Sequence, residues 1–318
     1  MQLIPILIDE NVAREYKPRA QNKISASQWH PCDRNLWLKR RSASTSNPGG
    51  RILRLMDFGH QMEPVFIGWL QSIGCKVAMC EAQLQNGHID GVIKLPSGEI
   101  MLLEMKTAND KRFNEIKKHG IQKATVGYYY QAQLYMEQSD VLSKVGNKLE
   151  QCLFFVMNKN THELYTEIVE RNEMYAFEFL QRIHAADDDE IPDKNVADYQ
   201  CNMCDFKQMC DKNALPALSC GTCAHWSARE KCDFGTEVCE RHVFSPSIMS
   251  LCGYDYTDVN HDFGYIEYDQ FINGPAVAKD HNKTDKPVLT SAEIIALGRD
   301  PDANILELIK RFDGRMVL

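Results

Sequence analysis

Asp90, Glu104 and Lys106 stand in segments that otherwise read as buried strands, HIDGVIKL over residues 88–95 and EIMLLEMKT over 99–107. Charges inside strands are costly to bury unless they are paired or hold a metal. Two carboxylates on neighbouring strands can present oxygens to one point, which suits a hard divalent cation such as Mg2+ or Mn2+. Lys106 follows Glu104 by two residues, so strand alternation puts both on one face. A metal beside an ammonium suits phosphodiester hydrolysis: the metal lowers the pKa of a bound water, and the lysine orients that water or stabilises developing negative charge. The spacing D-x13-E-x-K is a weak pattern by itself. An Asp90 at a strand end, with Glu104 paired to Lys106 on a wet face, satisfies it equally.

The twelve cysteines form the second chemical group. Cys201, Cys204 and Cys210 are spaced C-x2-C-x5-C, and Cys220, Cys223, Cys232 and Cys239 are spaced C-x2-C-x8-C-x6-C. Cys32, Cys75, Cys80, Cys152 and Cys252 are scattered. In an unexported protein, clustered thiols bind metal more often than they form disulfides. The second set suits a small zinc knuckle, with His225 and His242 as alternative ligands. Zn2+ there would organise a module too small to hold a good core, and reduced buried thiols are the other reading.

The elements that must position these residues follow from periodicity. Residues 53–74 have apolar positions at helical spacing, with Gly74 as a stop and Pro64 implying a kink or a split. Three short strands, over 75–84, 87–95 and 99–107, read as an antiparallel meander whose last turn is Pro96-Ser97-Gly98. A helix is expected over 124–139, a buried strand from 151, and a further helix over 172–186. The acidic stretch 187–193 reads as a solvated connector. Thr290 to Glu293 matches a capping box and Asp300-Pro301 a helix start, so two helices are expected near the end. The domains are then residues 1–215 and a cysteine-rich module over 216–318.

At 318 residues and 44% apolar content, the chain is long enough for one sizeable core plus an appended module. No apolar run approaches the length of a membrane helix, and the early LIPILI lacks a basic leader and a cleavage site. A soluble cytoplasmic protein is expected. The net charge of -8 is unevenly spread: residues 1–60 hold ten Lys or Arg against five Asp or Glu, and 211–318 hold eleven against seventeen. A basic first part attracts nucleic acid whatever the overall sign, because phosphate contacts are local. Arg34, Lys39, Arg40 and Arg41, interleaved with Trp37, and Lys111, Arg112, Lys117 and Lys118 are candidate DNA contacts. A solvated face with Trp37 in the core is the alternative for the first group.

In company, these residues resemble the PD-(D/E)XK nuclease superfamily, and within it the RecB-like branch. Asp90, Glu104 and Lys106 match the core motif. Gly59 and Glu63 in FGHQMEPVF look like the first helix motif, which implies Glu63 as the third ligand of Mg2+ or Mn2+. Many iron-sulfur members carry histidine there, and His60 is adjacent. Gln131 and Tyr135 in QAQLY match the Q-x-x-x-Y motif, whose i, i+4 spacing puts both on one helical face. In the family they help position substrate and the catalytic face.

Cys32 in ISASQWHPCDRNLWLKRR, with Cys201, Cys204 and Cys210, resembles the iron-sulfur staple of the CRISPR-associated and AddB-type nucleases of that branch. The resemblance implies a [4Fe-4S] cluster, although thiolate ligation of this kind suits zinc equally. Such a staple would close a loop of about 170 residues. The likeness covers roughly residues 23–212. It implies an α/β, restriction-endonuclease-like core, a mixed central sheet flanked by helices, and a metal-dependent exonuclease acting on DNA ends, often single-stranded. Bacterial, archaeal and phage settings all fit, with a recombination or integration protein as a further partner. A DNA-binding scaffold with the same fold and little hydrolysis is the rival expectation, and a redox sensor a third.

Overall fold

The segment Ile100–Ala108 is apolar at six of its nine positions, which fits a strand covered on both faces. In the computed structural model of the chain it is the middle strand of a five-stranded sheet. The structure describes residues 3–16, 23–43, 48–142, 147–211, 216, 220–223 and 245–251. In chain order the elements are α1 (Leu3–Glu15), α2 (Asp33–Arg40), α3 (Gly50–Ser72), β1 (Lys76–Ala78), β2 (Gln83–Leu84), β3 (Gly87–His88), β4 (Gly91–Lys94) and β5 (Ile100–Ala108). There follow α4 (Asp110–Ala124), α5 (Val126–Glu137), β6 (Gln151–Asn158), β7 (Leu164–Glu170), α6 (Glu173–Ala185), α7 (Lys207–Cys210) and α8 (Pro246–Leu251). Among the described residues no helix is long and apolar enough to cross a membrane. The two helices expected near the end lie outside the described residues.

The chain divides into two compact units, one made of Met1–Pro18, Lys23–His30 and Pro48–His184, the other of Arg19–Asn22, Pro31–Asn47 and Ala185–Leu318. In the first, the sheet runs β1-β4-β5-β6-β7. β1, β4 and β5 form the expected antiparallel meander, with Gly91 opposite Leu103. β5 and β6 are parallel, Glu104 opposite Phe154, so the chain must cross over between them, and α4 and α5 supply the crossover. β7 returns antiparallel on β6. Met101, Leu103 and Met105 of β5 pack with Leu153, Phe155 and Met157 of β6 against Phe66 and Leu70 of α3. The even-numbered side chains of β5, including Glu104 and Lys106, occupy the opposite face.

The meander differs from the expectation in its details. The stretch 75–84 breaks after Ala78, because Met79 and Glu81 both adopt positive φ, which non-glycine residues take only in special turns. The chain then makes a separate two-stranded hairpin, β2 with β3, before re-entering the sheet at Gly91. Asp90 therefore sits at the break between two strands. The helix around Pro64 is not split: α3 runs from Gly50 to Ser72 through it. It ends as expected at Gly74 (φ +88), whose N–H bonds Gln71 O while Cys75 N bonds Leu70 O, a Schellman closure.

In the second unit, Trp37 of α2 is fully buried, and its indole donates to Asp188 O at 2.8 Å. The Arg41 guanidinium stacks 3.7 Å from the Trp37 ring centre and donates to Ala186 O and Asp188 O, while Arg40 pairs with Asp187. Arg34 adds a bond to Pro192 O. Residues 187–193 are thus no merely solvated connector: their carbonyls and Asp187 satisfy the buried cations of α2.

Candidate active site

Glu104 owes its position to the strand period. It lies on the face of β5 turned towards α5 and has no solvent exposure. A carboxylate there needs partners, and the local sequence supplies them. Lys106, the next residue on that face, donates from Nζ to Glu104 Oε2 at 2.7 Å. From α5, Gln131 Nε2 approaches the same oxygen at 3.3 Å. Asp90, at the break before β4, accepts from the Met105 N–H at 2.6 Å and faces Lys106 Nζ at 3.5 Å. Glu104 Oε1, though buried, has no hydrogen-bond partner.

The electrostatics match this arrangement. Burial, above all, pushes Glu63 up to about 7, helped by the charges of Asp90 and Glu81 and by a hydrogen bond to Glu81. Burial likewise raises Glu104; the Lys106 charge opposes that rise and Asp90 adds to it. Burial works against the Lys106 charge, but Asp90 and Glu104 outweigh it and hold the amine well above the ordinary lysine value. Tyr135 is pushed up by burial and by the Glu104 charge, and is hydrogen-bonded to Gln131. The hairpin residue Gly87 (φ +140) leaves room for Tyr135: a Cβ there would lie 2.4 Å from the phenol oxygen.

The structure therefore brings Glu63, Asp90, Glu104, Lys106, Gln131 and Tyr135 into one electrostatic environment. His60 is exposed, whereas Glu63 is partly buried and feels Asp90. Among the described residues no three His, Cys, Asp or Glu side chains already stand as ligands of a single metal ion; between Asp90 and Glu104 the Lys106 ammonium supplies the positive charge. A divalent cation fits this donor set on two grounds: Glu104 keeps an oxygen with no partner, and the mutual repulsion of the carboxylates is the kind that a cation relieves.

Two neighbours were not legible from motifs. Tyr128 presents its ring to Lys106, 5.6 Å from Nζ to the ring centre, and Glu81 bonds Glu63. Tyr128 precedes Gln131 by one turn, a helical spacing that could have flagged it. Glu81 reaches the site through the turn at Met79 and Glu81, for which the sequence offers no signal.

Cys32, at the start of α2, and Cys201, Cys204 and Cys210 fall in the second unit. Burial pushes the Cys210 thiol up, against the charge and hydrogen bond of Arg34, and the charges of Cys204 and Cys32 add to the rise. Asn35 Nδ2 donates to Cys204 Sγ at 3.3 Å, and Lys194 and Lys207 both feel Cys201. Among the described residues no three of these cysteines already stand as ligands of a single metal ion. Of the second cysteine set, Cys223 is buried, while Cys232, Cys239 and the Cys220 side chain lie outside the described residues. Among the proposed DNA contacts, Lys111 and Arg112 are exposed on α4, Arg34 is engaged with Pro192 and Cys210, and Arg40 and Arg41 are buried in the pairings described above. Burial leaves those last two little surface for a phosphate.

No protein-family model matches the chain, and no curated protein does. Among solved structures, one described as SSO0001 superposes with a TM-score of 0.38 at 12% identity, over 65% of this chain and 96% of that one. Two structures of LHK-Exo, an alkaline exonuclease from Laribacter hongkongensis, one of them in complex with dAMP, align with a TM-score of 0.33. Their identities are 15% and 16%, over 52% of this chain and 86% of theirs. Likeness at this level assigns neither a family nor an activity.

The raised Glu63 has a measurable consequence. Its folded value near 7 lies above the ordinary 4.5, so the metal-free native state binds this proton more tightly than the unfolded chain does. Stability from this group is then greatest below about pH 4.5, falls as pH rises towards 7 and stays low above it. The thermal midpoint in chelator should drop between pH 5.5 and 8, less so in Glu63→Gln, and Mn2+ at pH 8 should restore it. A midpoint that rises over this range and ignores the substitution would contradict the assignment.

Proposed function

We propose that the chain is a metal-dependent deoxyribonuclease that hydrolyses phosphodiester bonds from DNA ends. The observation that carries this reading is Glu104, fully buried beside Lys106 and Asp90 with one carboxylate oxygen unpartnered. A structural ion pair would leave no such oxygen, because an unsatisfied buried acceptor costs about 1–3 kcal/mol.

Glu63, Asp90 and Glu104 would hold Mg2+ or Mn2+, which when bound supplies the charge that lets water lose a proton near neutral pH. Lys106 would direct its N–H groups at the attacking water or at the phosphoryl oxygens, where negative charge develops. Gln131 fixes the Glu104 carboxylate from α5, and Tyr135 backs Gln131. Lys111 and Arg112, exposed just after β5, would supply phosphate contacts that position the strand without reading its sequence.

Cys32, Cys201, Cys204 and Cys210 would hold a [4Fe-4S] cluster with a structural role, supported by the donors that Arg34 and Asn35 aim at the sulfurs. The spacing of Cys220, Cys223, Cys232 and Cys239 supports Zn2+ as a proposal for the second set. A recombination or integration protein as partner is carried from the sequence resemblance alone.

The test is digestion of end-labelled single- and double-stranded DNA by anaerobically purified protein with Mn2+. Wild type should shorten the strands from their ends, and Glu104→Gln should lose at least about a hundredfold in rate while keeping its fold, the scale of removing one charge-stabilising group. Equal inactivity of both proteins, with DNA still bound, would favour the scaffold reading. In the same preparations the visible absorbance of an iron-sulfur cluster should be present and should fall in Cys204→Ser. Colourless protein holding stoichiometric zinc would replace the cluster by zinc.

A further inference from the structure

The Lys106 ammonium lies between two carboxylates and an aromatic face. Glu104 Oε2 is at 2.7 Å, Asp90 Oδ2 at 3.5 Å, and the Tyr128 ring centre at 5.6 Å, within the range of a cation–π attraction. A divalent cation held by Asp90 and Glu104 would claim the oxygens that the ammonium now holds, and like charges so close repel strongly in a partly desolvated site. The ammonium must then move, yet stay near the reacting phosphate to be of use.

Tyr128 is suitably placed to receive it. The residue sits one turn before Gln131 and two before Tyr135 on α5, and its N–H is anchored to Thr125 O at 2.8 Å. Its side chain is only partly buried. The Q-x-x-x-Y pattern does not include it.

We propose that Tyr128 is a positioning residue for Lys106: its ring takes the ammonium when a divalent cation displaces it from Asp90 and Glu104. The proposal rests on the metal reading given above. Lys106 then has two seats, serving as counter-ion to the carboxylates in the metal-free protein and as partner of water and phosphate in the loaded one. Tyr128 acts through Lys106 and need not touch substrate.

The experiment measures Mn2+ binding without DNA, from the electron paramagnetic resonance signal of the free ion, in wild type, Tyr128→Phe, Tyr128→Leu, Lys106→Met and the double variant Tyr128→Leu with Lys106→Met. Tyr128→Leu should weaken Mn2+ binding about tenfold, the size of one lost cation–π contact in a desolvated site, while Tyr128→Phe, which keeps the ring, stays near wild type. Lys106→Met should tighten binding by removing the competitor, and in that background Tyr128→Leu should have no effect. With DNA, Tyr128→Leu should lower kcat and leave KM unchanged.

A Tyr128→Leu effect that persists without Lys106, or a Tyr128→Phe protein as weak as Tyr128→Leu, would overturn the proposal. If wild type binds Mn2+ and cuts DNA and Tyr128→Leu matches it in both, the role of Tyr128 falls alone. If wild type binds no Mn2+, the metal reading falls and this inference with it.

Discussion

Everything at the candidate site depends on keeping the Glu104 carboxylate inside the protein. A lone carboxylate in such a place would be expelled or fully neutralised; burial does raise the Glu104 pKa, and the Lys106 charge opposes that rise. Here it is retained because Lys106 stands two residues later on the same face of β5 and Gln131 meets it from α5. The antiparallel pairing of β4 with β5 brings Asp90 to the same place, where it takes the Met105 N–H that the sheet would otherwise leave to another partner. Breaking any of these contacts leaves buried charge uncompensated, which is far more costly than losing a surface ion pair.

The crossover through α4 and α5 follows from the same requirement. β6 lies parallel to β5, so the chain must return over one face of the sheet, and the helix that makes this return places Tyr128, Gln131 and Tyr135 over the charged side of β5. On the opposite side of β5, Met101, Leu103 and Met105 pack on α3. One strand thus divides a hydrophobic core from a charged pocket by alternation alone. The second unit applies similar logic to cations. Arg40 and Arg41 are satisfied by Asp187 and by main-chain carbonyls, and the Arg41 guanidinium stacks on the Trp37 ring.

Much of this was legible in the sequence because it rests on short-range spacing. The Glu104–Lys106 alternation, the i, i+4 pair Gln131 and Tyr135, the Gly74 stop of α3 and the turn at Pro96-Ser97-Gly98 are all local patterns. What was not legible depends on turns and tertiary partners. The hairpin of β2 and β3 arises from positive φ at Met79 and Glu81, residues with no special preference for it. The helix α4 carries few apolar residues and is interrupted at Gly120 (φ +76), and β7 buries only Val169 among exposed or partly exposed neighbours. The basic run after Cys32 has the composition of a DNA-binding face, and only burial against residues 186–192 shows where Arg40 and Arg41 go.

On the proposed reading, Glu63, Asp90 and Glu104 share a divalent cation. Anomalous diffraction from crystals of the protein soaked in Mn2+ at pH 8 would locate that ion. A shared ion requires a manganese peak within coordination distance of oxygens from all three residues, including the unpartnered Oε1 of Glu104, with Lys106 Nζ moved off that oxygen set. A map with no peak there, and with Lys106 still bound to Glu104 and Asp90, would contradict it.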